Sequence, residues 1–392
     1  MSYKIKDNIC TIPVKITIDE NFDKENFQEY ILQLITESND YFNSSTTNVK
    51  ININKKETVT VDINQDESST NAHTITKALK LVREYGTIII KTDITNEDFV
   101  IDKKITITGP ATINSLKIQN NALGASIREL TFIDCNIINN NKIIVDSCTF
   151  KDGKDSIITN NGNADISNCT FTTNNAQYGA CINITNTSRG TIVNKCMFNQ
   201  NNAQYYGGCV YSNKGNDIEI TESVFYGQNY ANNNGSCISI YGNAYISHNT
   251  FYNNIGNNEI YLMNGSIEMD NNIFDGNITS IKKLHGDIDA GLNYWGYNTL
   301  EDIQQYSGIE DVDSYLISRC ELVRKDENSY YAVGVIDQYK NRLEIETTTI
   351  ETIDSPLPVS VGMAESLLNK QEIIVSNDFV MKIGKANIEV VL

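Results

Sequence analysis

The chain has 392 residues, a formal net charge of -18 from 49 acidic and 31 basic residues, and 40% hydrophobic residues with only four prolines. This composition excludes a disordered chain, because enough apolar residues are present to form a buried core. The negative charge disfavours nucleic acid and anionic membranes as partners, since it offers no basic patch to neutralise phosphates. No apolar run approaches the roughly 18 residues that span a bilayer.

The first part of the chain, residues 1–70, is predicted to be a small α+β domain that docks to a particle or an assembly partner. Alternating apolar residues predict strands over 10–18 and 49–63, helical spacing predicts an amphipathic helix over 27–42, and a polar stretch ends the domain. The first residues lack the apolar stretch of a secretory signal. We therefore expect a chain made in the cytoplasm that is particle-associated, or extracellular after assembly or lysis.

A second amphipathic helix is predicted over residues 75–86, where apolar residues recur at helical spacing and the pattern stops at Gly86. Short alternating segments follow at 87–90 and 99–109. We expect this helix to cover the first turn of a repeat region, because the open end of a strand stack must be capped.

Asparagine marks the region that follows: of 53 Asn in the chain, 32 lie between Phe132 and Ser280. In this region Cys181, Cys209 and Cys237 are 28 residues apart, and a phenylalanine recurs every 21 to 27 residues after a short alternating segment. A variable period with fixed strands of about five residues excludes a helical solenoid and predicts a parallel β-solenoid over residues 71–300. The recurring phenylalanines are Phe150, Phe171, Phe198, Phe225, Phe251 and Phe274.

Residues at the same phase of neighbouring rungs are expected to stack inside the solenoid. The phenylalanines then form one interior column, and the cysteines form a reduced, inert ladder, since parallel side chains ~4.8 Å apart are poorly placed for an S–S bond. Disulfides or a metal site are the less favoured alternatives. Asn suits left-handed turns and amide ladders. Trp295 is expected to cover the last rung, and a carbohydrate-stacking platform is the alternative.

Two groups of residues resemble known families. The predicted helix, followed by Gly-Thr-Ile-Ile-Ile at 86–90 and Val-Ile-Asp-Lys-Lys-Ile-Thr-Ile-Thr-Gly at 100–109, resembles the entry cap of right-handed parallel β-helix proteins of the pectin-lyase-like superfamily. The Asn-Asn-Ala repeats and the closing Asn-Tyr-Trp-Gly at 293–296 resemble Asn-rich adhesin-like surface proteins of methanogenic archaea. The resemblance covers about residues 72–300. It implies a right-handed parallel β-helix, cell-surface adhesion or glycan binding, and often an immunoglobulin-like domain after the Trp motif.

The last part of the chain, residues 301–392, has 17 acidic and 8 basic residues and few Asn, so the composition changes at its start. Alternating segments predict a small β-sandwich, and the resemblance implies that this domain is immunoglobulin-like. The predicted fold is thus dominated by β structure, with a β-helix between two smaller domains. The predicted strands of this last domain cover 330–337, 342–349, 372–376, 379–383 and 386–392.

Catalysis is not expected. Inverting glycosidases need two carboxylates about 6.5–9.5 Å apart, and the candidate acidic residues do not form the motifs of polygalacturonases. Arg189 is the one candidate for a lyase base within the repeats, although an isolated Arg in a turn is more often solvated. The three His are scattered, so neither a metal nor a cofactor is expected. The candidate carboxylates are Asp152, Asp155, Asp165, Glu219, Glu222, Asp270, Asp275, Asp287 and Asp289.

The predicted function is that of a non-catalytic adhesin-like or receptor-binding protein that binds a cell-surface or cell-wall polysaccharide. A virus-associated or tail-associated component is one form of it, and a homotrimer is left open. The alternative is a polysaccharide lyase or glycoside hydrolase of the pectin-lyase-like superfamily. Tyrosines in the loops beside the Cys ladder are expected to stack on sugar rings while Asn side chains supply amide bonds, with packing of the turns as the alternative role. These residues are Tyr178, Tyr205, Tyr206, Tyr230, Asn174, Asn175, Asn201 and Asn202.

Overall fold

The computed structural model describes residues 55–316, except 115, 214, 215, 275–277, 311 and 313, and outside this range it describes the backbone of strands alone. The chain divides into two compact units, residues 1–55 and 56–392. Among the described residues, no helix is long and apolar enough to cross a membrane.

The N-terminal unit contains two antiparallel pairs of strands, Lys4–Lys6 with Ile9–Thr11 and Tyr30–Thr36 with Ser45–Ile51. The helix predicted over 27–42 is wrong, because Tyr30–Thr36 lies in a strand. Its sequence Tyr-Ile-Leu-Gln-Leu-Ile-Thr is rich in aromatic and β-branched residues, which favour extended backbone over helix.

The second unit is built around a parallel β-helix over residues 56–290, here called the shaft, which confirms the predicted solenoid. Each rung contributes one strand to each of three faces, called A, C and B in the order in which the chain visits them. Two long strands, Ile238–Ser247 and Asn258–Asp270, run from face B into face A. Face A also contains Lys56–Val61, Val82–Ile90, Thr106–Thr108, Leu123–Arg128, Lys142–Asp146, Asn163–Ser167, Gly190–Asn194, Asn216–Thr221 and Asp287–Ala290.

Faces C and B consist of shorter strands in register with the neighbouring rungs. Face C contains Ile94–Thr95, Thr112–Asn114, Thr131–Ile133, Thr149–Lys151, Thr170–Thr172, Met197–Asn199, Val224–Tyr226, Thr250–Tyr252 and Ile273–Phe274. Face B contains Phe99–Ile101, Lys117–Asn120, Asn136–Asn139, Ile158–Asn160, Ile182–Ile184, Val210–Ser212 and Thr279–Lys283.

The predicted cap helix is present but shorter, over Ile75–Leu81. Thr74 caps it by accepting a hydrogen bond from the backbone N–H of Lys77, and the buried face of the helix packs in the core. Val82 already belongs to a face A strand. Gly86 therefore lies in a strand, where a Cβ would come within 2.6 Å of the carbonyl oxygen of Glu57. The strand Lys56–Val61 pairs with Val82–Ile90. The short strand Asn71–Ala72 pairs with the last two residues of Lys56–Val61.

The predicted phenylalanine column is confirmed. All six rings are buried and stacked, and Phe132 extends the column at its start. Neighbouring ring centroids lie between 4.5 and 5.1 Å apart. Trp295 continues the column, with its ring 5.1 Å from that of Phe274, and it is fully buried. This position confirms that Trp295 covers the last phenylalanine rather than forming an exposed platform.

Asparagine side chains form the predicted ladders inside the turns. In one ladder the amide of a buried Asn donates to Oδ1 of the Asn one rung later, at 2.9 Å from Asn174 to Asn201 and 3.1 Å from Asn201 to Asn229. A similar ladder runs through Asn249, Asn272 and Asn293. These bonds satisfy polar groups that the rungs would otherwise bury unpaired.

A short helix, Leu300–Tyr306, follows the last rung, and Ile303, Ile309 and Tyr315 pack onto the core. Beyond it the chain forms antiparallel sheets that agree with four of the five predicted strands. The predicted strand 342–349 lies outside the described residues. The C-terminal strands are Leu316–Arg324, Ser329–Gln338, Ile350–Glu351, Glu372–Ile374, Phe379–Ile383 and Ala386–Val390.

Candidate functional site

Three rungs carry an extra strand between face C and face B, and these form a small parallel sheet, here called the side sheet. Its strands are Asn175–Tyr178, Asn202–Tyr206 and Tyr230–Ala231. The insertion lengthens the rungs of the Asn-Asn-Ala repeats. It places Tyr178 and Tyr206, two of the tyrosines predicted from the sequence, next to Tyr211 and Tyr261 of the strands that form face B.

The side sheet brings four tyrosines together. The ring of Tyr178 lies 5.1 Å from that of Tyr205, 6.4 Å from that of Tyr206 and 4.9 Å from that of Tyr211. Tyr206 also stacks on Tyr261 at 5.8 Å. Burial, more than the neighbouring hydroxyls, raises the pKa of Tyr211 and of Tyr261, so both phenols stay protonated at neutral pH.

Tyr178 is the first ring of this tyrosine cluster along the solenoid axis. Its three ring neighbours all belong to the following rung, since Asn175–Tyr178 pairs with Asn202–Tyr206 and Asn183 pairs with Tyr211. On the preceding side lies a surface hollow of about 560 Å³. The hollow is lined by Lys154, Asp155, Ser156, Asn175, Ala176, Gln177, Tyr178, Asn183 and Gln204.

Neutral amides dominate the lining of this hollow, which contains Asn175, Gln177, Asn183 and Gln204. Its lysine is engaged elsewhere, because Lys154 Nζ lies 2.5 Å from a carboxylate oxygen of Asp134. An aromatic ring beside several amides can pack against the apolar face of a sugar and hydrogen-bond its hydroxyls.

A second hollow, of about 360 Å³, adjoins the first and shares three residues with it. Tyr230, from the third strand of the side sheet, lies on its wall together with Asn202. The two hollows therefore follow one another across neighbouring rungs. The second is lined by Asn175, Ala176, Asn202, Ala203, Gln204, Tyr230 and Asn232.

Two of the predicted glycan-binding residues do not belong to this surface. Asn174 and Asn201 are fully buried, and their amides bond to the next Asn and to the carbonyl oxygens of Phe150 and Phe171. Oδ1 of Asn174 accepts from the backbone N–H of Gly153, and Oδ1 of Asn201 accepts from the backbone N–H of Asn174. Both ends of each side-chain amide are therefore occupied, and neither residue can offer an amide to a ligand. The residues that follow them, Asn175 and Asn202, are exposed and line the hollows. This difference arises because successive residues of extended backbone point in opposite directions.

The sequence analysis missed Asn183, Tyr211, Tyr261 and the two glutamines. The first two lie two residues after Cys181 and Cys209, at the outward position between the buried residues Ile182 and Ile184 and between Val210 and Ser212. Tyr261 lies in the same outward column two rungs later. The 28-residue cysteine spacing contained this information, but the position of the side sheet over face B was needed to use it.

Face A has a separate groove of about 750 Å³ that is rich in carboxylates. Asp165, Glu219, Glu268 and Asp289 occupy one outward column of this face, with Ile192 and Tyr245 between them. A second column contains Asp217 and Asp287. Arg189 lies at the edge of the groove and is exposed.

The other candidate carboxylates lie elsewhere. Asp152 accepts a hydrogen bond from the hydroxyl of Thr173 in an exposed turn, Asp155 lines the hollow beside Tyr178, and Glu222 forms an ion pair with Lys195. Asp270 lies on face A outside the groove lining, and Asp275 lies outside the described residues. Among the residues that the structure describes, no group of three or more His, Cys, Asp or Glu could hold a metal ion.

Comparison with known proteins does not assign this chain to a family. No family model, no curated protein and no solved structure matches it significantly.

Proposed function

We propose that the protein is a non-catalytic, adhesin-like or receptor-binding β-helix protein that binds a cell-surface or cell-wall glycan at the tyrosine cluster and its two hollows. The observation that supports this most directly is the position of Tyr178, between a cluster of rings on one side and an amide-lined hollow on the other. A sugar ring stacked there would contact the aromatic face and meet amides around its rim.

The two hollows are lined mainly by neutral side chains, with Asp155 as the carboxylate of the first hollow and its Lys154 paired with Asp134, and this lining favours an uncharged glycan. Four amides line the first hollow, and the second contains no charged side chain. The two hollows follow successive rungs, whose strands are ~4.8 Å apart. An oligosaccharide of two or more units laid along the solenoid axis would occupy both.

The assignment to a particular family, and the role of the N-terminal unit, are part of the same proposal. The cap sequence and the Asn-rich repeats resemble the pectin-lyase-like superfamily and the adhesin-like proteins of methanogenic archaea, and the parallel β-helix supports the first resemblance at the level of fold. We also propose that the N-terminal unit serves assembly, as in a virus-associated or tail-associated component.

The test is binding of labelled protein to a glycan array and to isolated cell-wall polysaccharide. Tyr178→Ala should weaken binding about tenfold, the equivalent of ~1.4 kcal/mol. Tyr245→Ala is the matched control, because Tyr245 is an outward tyrosine on face A, far along the rung from the side sheet. Equal binding by both variants and the wild type would place the glycan site elsewhere.

A hydrolase or lyase is the second candidate, supported by the carboxylate column of face A. Glu219 and Glu268 are two rungs apart, or ~9.6 Å along the axis at 4.8 Å per rung, close to the separation that inverting glycosidases use. Release of new reducing ends from a polysaccharide, abolished by Glu219→Gln or Glu268→Gln, would replace the non-catalytic proposal. The Tyr178→Ala variant would retain such activity if the groove alone were responsible.

A further inference from the structure

The chain contains three Asn-Gly pairs in the described region, at Asn161, Asn234 and Asn264. In such a pair the backbone nitrogen of the glycine can attack the side-chain amide of the asparagine, because glycine has no Cβ to obstruct the approach. The three pairs share the same dipeptide and differ in their surroundings. The structure therefore offers a comparison within one molecule.

At Asn264 the reacting groups lie together. The backbone N–H of Gly265 donates to Oδ1 of Asn264 at 3.0 Å, and the side chain of Asn264 is exposed. Among the described residues, the amide nitrogen Nδ2 of Asn264 makes one long hydrogen bond, 3.4 Å to the hydroxyl of Tyr241. A register shift in the pairing with the previous rung occurs at this point, so the local backbone departs from the regular ladder.

At the other two pairs the glycine nitrogen is held by a different residue. The N–H of Gly162 donates to Oδ1 of Asn160 at 3.1 Å, and that of Gly235 donates to Oδ1 of Asn258 at 2.7 Å.

The side-chain amides of these two pairs are fixed as well. Asn161 bonds to Asn140 and to Thr185, and Asn234 accepts from Asn258. Attack at either pair requires these hydrogen bonds to break first.

We propose that Asn264 is a site of spontaneous deamidation and that the folded shaft protects Asn161 and Asn234. A base removes the proton of Gly265 N, and the nitrogen bonds to Cγ of Asn264. The Cγ–Nδ2 bond then breaks, and the amide nitrogen takes up a proton and leaves as ammonia. Water opens the resulting succinimide at either carbonyl, which leaves aspartate or isoaspartate.

The product changes the shaft as well as its charge. Gly242, Gly265 and Gly286 stack closely on successive rungs, where a Cβ on Gly265 would come within 1.9 Å of the carbonyl oxygen of Gly242. Isoaspartate inserts an extra carbon into the backbone just before this contact. The modified chain therefore carries one more negative charge and a disturbed strand where face B meets face A.

The test is incubation of the native protein in mildly alkaline buffer, followed by digestion with a protease that cleaves after glutamate and by mass spectrometry. Cleavage at Glu259 and Glu268 isolates Asn264 in the peptide 260–268. Asn234 and Asn161 fall in the separate peptides 223–259 and 130–219. In the folded protein, Asn264 should deamidate roughly tenfold faster than either of the others.

Protein unfolded in denaturant is the control, because the three sites should then react at similar rates. Asn264→Gln should remove the mass increase from 260–268 and leave the other two peptides unchanged. Equal rates at the three sites in the folded protein, or a faster rate at Asn161 or Asn234, would overturn the proposal. So would an unmodified Asn264 in folded protein after a time that suffices for the unfolded chain to react.

Discussion

Asparagine has two different roles in this shaft, and the direction of its side chain decides between them. Asn201 points inward and is fully buried, whereas Asn202, the next residue, points outward and lines a hollow. The buried residue accepts from both the backbone N–H and the amide of Asn174, and its own amide donates to Phe171 and Asn229. Its removal leaves several buried polar groups without partners.

We therefore expect Asn201→Ala to lower the free energy of unfolding by about 2–4 kcal/mol, because each unpaired buried group costs about 1–3 kcal/mol. Asn202→Ala should change it by less than about 0.5 kcal/mol, as a substitution at an exposed position. Urea unfolding followed by circular dichroism measures both variants. Equal destabilisation would mean that the amide ladder does not stabilise the shaft.

At the scale of the element, the interior columns explain why cysteine suits this protein. Cys181, Cys209 and Cys237 are buried at the same phase of neighbouring rungs, and none of them is in a disulfide. Burial is the largest cause that holds the pKa of Cys181 and of Cys237 well above the usual range, and the thiol of Cys209 adds to it. A thiol that stays protonated and shielded is a poor nucleophile.

All seven free cysteines of the described residues are buried, so their thiols should resist alkylation in the native protein, because the reagent cannot reach them, and react once the chain is unfolded. The measurement is treatment with an alkylating reagent, non-reducing digestion and mass spectrometry of each cysteine peptide. The set comprises Cys135, Cys148, Cys169, Cys181, Cys196, Cys209 and Cys237. A disulfide between Cys181 and Cys209, or rapid labelling of either in folded protein, would contradict the ladder as described.

The phenylalanine period and the short alternating segments were sufficient to predict the shaft, because every rung must bury the same positions against its neighbours. They could not predict the side sheet, since Asn175–Tyr178 is only four residues long and its pairing with the next insertion includes a register shift between Ala176 and Tyr178. For the same reason the inward direction of Asn174 was missed. The helix predicted at 27–42 failed because helical spacing and β-branched content conflict there, and pairing with Ser45–Ile51 decides between them.

At the scale of the whole molecule, the charge distribution separates two surfaces. The tyrosine cluster lies among neutral amides, whereas face A carries stacked carboxylates in a chain whose net charge is -18. Glu268 and Asp289 occupy adjacent rungs of one column, with ~4.8 Å between strands. Like charges at this distance repel one another in the folded state and move apart in the unfolded chain.

The melting temperature should therefore rise with ionic strength, since about 0.5 M salt shortens the screening length to roughly 4 Å, below the rung spacing. Neutralising the pair with Glu268→Gln and Asp289→Asn should raise it by roughly 1–3 °C at low salt and reduce its salt dependence. Glu222→Gln is the matched control, because Glu222 lies 3.5 Å from Lys195 and its loss removes an attraction. A thermal scan that showed the same gain for the control as for the pair would refute repulsion along face A, because general loss of negative charge would then explain both.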